Sequence, residues 1–135
     1  MAAHDPLADV SLLWLSNNMS ISAAHADAFV SEALAAGKVW GIRDTAGFPT
    51  STNASGEIAM PFWSSESRAK KVTDCLSAYE GFEPTSIDLA AFIERWLPGL
   101  EKDGLSCGIN WSGQRATGYD LKPGEVLTRL LASKA

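Results

Sequence analysis

Residues 56–72 read GEIAMPFWSSESRAKKV, and the two halves of this stretch follow different rules. Glu57 to Trp63 is rich in apolar and aromatic residues, the composition of a largely buried strand. Pro61 has no N–H to give a neighbour, so that point is expected at an edge, a bulge or the strand's end. Ser64 or Ser65 then offers a side-chain oxygen to the N–H groups of the next turn. Glu66 sets a negative charge at the positive end of a helix dipole. A strand running straight into a capped helix, Ser65 to about Ala78, is therefore expected at the centre of the fold. That helix would bury Ala69, Val72, Leu76 and Cys75.

Upstream, Lys38–Asp44 holds Val39, Trp40 and Ile42 in a β-favouring run, and Thr45-Ala46-Gly47 supplies turn chemistry before a second run, Phe48–Thr52. With Glu57–Trp63 these are expected to form an antiparallel meander. Before them, Ser22–Ala36 is alanine-rich, has a stripe of Ala26, Phe29, Val30, Ala33 and Leu34, and can be closed by Gly37, which predicts a helix with one buried face. Residues 1–20 form a separate N-terminal segment: Asp5-Pro6 can start a short helix, with Leu7, Val10, Leu13 and Trp14 at helical spacing.

Downstream, Gly81–Ile87 reads as a connector and short strand whose pairing Pro84 limits. Asp88 then caps a helix in which Leu89, Phe92, Ile93, Trp96, Leu97 and Leu100 make one apolar face. Pro98 interrupts it, so a stop or kink is expected near Leu97, with a fresh turn through Lys102. Leu105–Trp111 and Ala116–Leu121 read as two strands joined by a turn at Ser112-Gly113-Gln114. Pro123 opens a final helix with Val126, Leu127, Leu130 and Leu131 inward. The expected class is α+β: a mostly antiparallel sheet of about five to six strands, with helices mainly on one face and N-terminal helices added. Residues 21–135 are read as a single domain.

Several segments together resemble a known family. KVWGI at residues 38–42, MPFWSSE at 60–66 and FIERWLPGLEKDG at 92–104 are similar to the uncharacterised bacterial domain-of-unknown-function family 2750. Trp111, Gly118 and the closing helix follow the same pattern, so the resemblance spans residues 21–131. It implies a small α+β domain of bacterial origin. It implies no activity.

The formal charge is −5, from 16 acidic and 11 basic residues, which argues against a phosphate-binding surface and hence against nucleic acid as a partner. Cys75 and Cys107 stand far apart and form no CxxC pair, so reduced thiols in a soluble, cytoplasmic protein are expected. The N-terminus has no cationic region, and Val10–Leu15 is too short for a signal sequence or a membrane span. The only histidines, His4 and His25, have no evident catalytic or metal-ligand partners, and the carboxylates fall in no selective spacing. No catalytic residue, metal site or cofactor is expected, and the chain is read as non-enzymatic.

Five tryptophans in 135 residues are the enrichment that remains. Trp96 belongs to the apolar stripe of its helix. Trp40, Trp63 and Trp111 fall on or at the ends of strands, where a ring can fill the sheet–helix interface or stand half exposed. Tryptophan and arginine recur at binding hot spots. Trp63, Arg68 and Trp111 are accordingly the candidate binding residues, for a protein partner of a monomer or homodimer. Two other readings stay open: an anion or small-molecule pocket (an enzyme's included) at the helix start near Ser65, and an immunity or adaptor protein whose acidic surface neutralises a basic partner.

Overall fold

The computed structural model describes residues 24–53, 55–112 and 117–134. The helix expected within residues 1–20, with Trp14, the Ser22 cap and most of the turn after Ser112 lie outside the described residues. Helix α1 runs through residues 24–36 and buries Ala26, Phe29, Val30 and Ala33, the expected stripe. Gly37, at φ 68°, closes it, and its N–H bonds Ala33 O at 2.8 Å.

Among the described residues, six strands form two sheets. Strand β1 (Lys38–Arg43) pairs antiparallel with β4 (Glu83–Asp88). Strands β2 (Ser51–Thr52), β3 (Ile58–Phe62), β5 (Ser106–Ser112) and β6 (Thr117–Leu121) follow one another across the larger sheet. Its β2–β3 and β5–β6 pairs are antiparallel, whereas β3 and β5 run parallel, Ala59 opposite Ser106 and Phe62 opposite Ile109. The class is α+β as expected, with one parallel pair the sequence did not announce. A parallel pair needs a long crossover, and here it contains α2 (Glu66–Cys75), β4 and the helical run that follows.

The expected meander does not form. Asp44 and Gly47 close a tight turn by mutual backbone bonds of 3.1 and 3.2 Å, with Asp44 Oδ1 also accepting the Ala46 N–H at 2.8 Å. Phe48 then turns inward, lying over Gly41 and meeting Trp96 edge-on at 4.8 Å. Burying that ring takes the chain out of strand geometry, and only Ser51–Thr52 is left to pair with β3. Strand β1 finds its partner in β4 instead, where Pro84 sits opposite Ile42. The proline is tolerated because β4 is the outer strand of its sheet.

Helix α2 stops at Cys75, and a 3₁₀ turn, Ser77–Tyr79, replaces the expected last turn. Asp88 does precede the next helix, but its side chain makes no capping bond. That helix runs as α3 (Leu89–Ala91), a π-helical turn (Phe92–Trp96) and α4 (Leu97–Lys102). The Leu97 N–H reaches back to Phe92 O, and this wider turn accommodates Pro98, which has no N–H and crowds an α-helical carbonyl. The expected interruption is thus absorbed without ending the helix. Helix α5 (Pro123–Lys134) buries Val126 and Leu130, while Leu131, expected inward, is exposed.

Strand alternation sends side chains to two apolar cores. The larger lies between α1, α3, α4, α5 and one face of each sheet, where Val39, Phe62, Ile87, Cys107 and Ile109 point. The smaller gathers Ile42, Ala59, Trp63 and Trp111 beneath Ala69 and Val72 of α2. Among the described residues, no helix is long and apolar enough to cross a membrane.

Candidate functional site: a groove between α2 and the bulged end of β5

The site begins with an irregularity in β5. Cys107 and Ile109 face the larger core, so strict alternation would send Trp111 to the same side. The pairing with β6 instead shifts between Ile109 and Ser112, and Asn110 adopts φ 48°. This bulge turns Trp111 onto the opposite face, beside α2. Asparagine tolerates the left-handed conformation better than most residues. Trp111 then folds back over Gly108, and its Nε1–H donates to Asp120 Oδ1 at 2.9 Å.

Asn110 also anchors the start of α2. Its Oδ1 accepts the Ser64 N–H at 2.9 Å, and its Nδ2 donates to Ser64 Oγ at 3.0 Å. Ser64 Oγ in turn donates to Glu32 Oε1 of α1 at 2.7 Å. Glu32 receives both Nε and Nη2 of Arg68, at 2.9 and 2.8 Å. Ser64 and Asn110 are buried, whereas Glu32 and Arg68 are roughly two-fifths exposed, so the chain of bonds runs from core to surface. Ser65 caps α2 by accepting the Arg68 N–H, so this one helix-start donor is already satisfied.

Between α2 and this end of β5 lies an open cavity of about 750 Å³. Helical spacing puts Arg68, Val72 and Leu76 on one ridge and Ser67, Lys71 and Cys75 on the next, and both ridges line it. Asn110, Trp111 and Ser112 form the facing wall. Its charged lining among the described residues is cationic, from Arg68 and Lys71. The hydrogen bonds from Arg68 hold the Glu32 carboxyl below its ordinary range, so it stays ionised beside the groove. Burial pushes Asp120 upward, against the lowering effect of the Trp111 N–H and with a further upward push from Glu57.

The three sequence candidates separate. Arg68 and Trp111 share the groove. Trp63 has no exposed surface, so it cannot itself touch a partner, and it acts from behind. Its backbone exchanges bonds with Trp40 at 2.7 and 2.8 Å, joining the two sheets, and its Nε1–H donates to Trp111 O at 2.7 Å. Glu32, Ser64, Asn110 and Lys71 complete the arrangement and were not among the candidates. A lone asparagine inside an apolar strand was the available signal; nothing in the sequence tied Glu32 to Arg68.

Cys107 lies in the core with its thiol pushed up to about 12, chiefly by burial, which leaves it protonated at neutral pH. Cys75, expected to be buried, is exposed on the groove's rim. No group of three metal-ligating side chains occurs among the described residues.

Residues 26–130 match the family model described as "Protein of unknown function (DUF2750)". The chain belongs to this family. The match takes in every residue of the groove, so the DUF2750 domain itself carries the α2–β5 site. No curated protein and no solved structure matches the chain.

The buried relay of this DUF2750 domain makes a specific demand on Asn110. Asn110→Ala leaves the Ser64 N–H without its acceptor and keeps a non-glycine residue at positive φ. The expected loss is roughly 2–4 kcal/mol. Asn110→Gly loses the same bonds but relieves the backbone, and should be about 1 kcal/mol less damaging. Urea denaturation of both variants reads this difference; an alanine variant as stable as the parent would show that the relay carries no energy.

Proposed function

We propose that this DUF2750 domain is a non-enzymatic binding protein whose ligand is a small amphipathic anion seated between α2 and β5. One observation carries the reading: a concave site whose lining joins the apolar Val72, Leu76 and Trp111 to the cationic Arg68 and Lys71. Its volume lies within the range of small-molecule pockets, which are mostly apolar with a few oriented polar groups. The ligand's apolar body lies along Val72 and Leu76, and its negative group faces the two cations.

The competing reading, a protein partner bound through Trp63, Arg68 and Trp111, retains two of its three residues. The buried state of Trp63 removes its central aromatic anchor. The large apolar side chains exposed among the described residues are Ile58 and Leu131, and neither lines the groove. A broad docking face normally presents a larger apolar patch. An acidic macromolecule would also meet the repulsion of a chain carrying −5, whereas a small anion feels mainly the local cations. A reducing, cytoplasmic setting belongs to the same proposal, supported by two cysteines that are both free.

Native mass spectrometry of tagged protein drawn from its source lysate tests the reading. The expected result is a small-molecule adduct that is lost from Arg68→Ala. A stoichiometric protein partner with no small adduct would overturn it in favour of a protein-interaction domain.

A further inference from the structure

We infer, resting on the groove reading above, that the anionic group it takes is a monocarboxylate, and that Glu32 is a positioning residue that turns the Arg68 guanidinium toward it. A guanidinium has five N–H donors arranged along two usable edges. Glu32 fills the side edge of Arg68 completely, Nε to Oε1 and Nη2 to Oε2. The end edge, Nη1 with the second hydrogen of Nη2, receives no acceptor among the described residues. Arg68 lines the groove, and in this proposal its end edge, the one Glu32 leaves open, is the fork that meets a ligand there. Two parallel donors match the two oxygens of a carboxylate.

The local charge selects among oxyanions. Glu32 cancels one of the two lining cations, which leaves a single net positive charge for the ligand to meet. A monocarboxylate matches that charge, and a phosphate dianion exceeds it. The orientation is held from the interior: Glu32 is fixed by Ser64 at 2.7 Å, and Ser64 by Asn110 through its N–H and its Oγ. The bulge that aims Trp111 into the groove therefore also sets the plane of Arg68 through three intervening side-chain contacts.

The test uses the full chain with octanoate, octyl phosphate and 1-octanol, each titrated while the amide signals of Val72 and Leu76 and the Trp111 indole signal are followed by NMR. The parent is expected to bind octanoate about tenfold more tightly than octanol, as a paired charge-assisted bond warrants. Octyl phosphate should gain no further advantage. Glu32→Asp, which keeps the charge but withdraws the carboxylate by one methylene, should reduce the octanoate preference to roughly two- to threefold with octanol affinity unchanged, and Arg68→Lys should do the same by keeping the charge without the fork. A merely structural role for Glu32 would weaken all three probes together and leave their ratios intact, which overturns the inference. Preference for the phosphate, or a Glu32→Asp variant with its octanoate preference undiminished, also overturns it. If none of the three probes moves the groove signals, the groove reading falls and this inference falls with it; equal binding of octanoate and octanol sinks the inference alone.

Discussion

Trp63→Ala is expected to lower stability by roughly 3–5 kcal/mol, the largest loss any single substitution here should cause. Three losses coincide at this residue. Its ring is wholly enclosed in the core beneath α2, with Ala69, Val72 and Trp111 in the same cluster. Its indole N–H is the donor to the Trp111 carbonyl, which would be left in a buried site without that bond. Its backbone is the bridge between the sheets, so a cavity there loosens the junction itself. Domains of this size hold only about 5–15 kcal/mol in total, and the variant should populate unfolded chains under mild denaturant. Urea unfolding followed by circular dichroism should show a midpoint lower by roughly 2 M, from slopes typical of small proteins. Trp63→Phe should lose less, because it keeps an aromatic ring and gives up mainly the N–H. A Trp63→Ala midpoint equal to the parent's would mean that the ring does not support the junction.

That expectation follows the interface-filling reading of Trp63 rather than the binding one the sequence also offered, and the reason both were open is instructive. A tryptophan at a strand end can be buried or half exposed, because which face is covered depends on helices placed elsewhere in the chain. Local signals were sufficient where one element decides its own form. The α1 stripe, Gly37 as its end, the Ser65 cap and Pro123 at the start of α5 all follow from nearest neighbours. Pairing did not follow in the same way. Lys38–Arg43 carries nothing that prefers Glu83–Asp88 over Phe48–Thr52, and the choice came from Phe48 packing inward over Gly41. The groove was legible to the extent of Arg68 and Trp111. Glu32 reaches Arg68 from 36 residues away through a fold that only tertiary packing defines. Asn110 was visible as a residue, but its bulge was hidden behind a run that otherwise reads as regular strand.

Gly108→Ala carries the second large expectation, because it strikes the groove wall without touching a charge. A Cβ at this position would stand 2.4 Å from Trp111 Cε2 and 2.7 Å from its Nε1, closer than real side chains approach. The ring is held there by its bond to Asp120, so it must break that bond or drag the bulge with it. Overpacking of this kind costs roughly 1–3 kcal/mol. The displaced ring also changes the wall that faces Val72 and Leu76. Octanoate and octanol should therefore weaken together, with their ratio preserved, the opposite of the pattern expected for Glu32→Asp. Gly41→Ala supplies the comparison. Its Cβ would stand 2.8 Å from the Phe48 ring, on the other core, so it should cost stability and leave both affinities alone. Loss of stability common to the two variants, with loss of binding confined to Gly108→Ala, would locate the apolar wall at Trp111. Unchanged affinity in a folded Gly108→Ala protein would show instead that the probes rest on α2 without the ring.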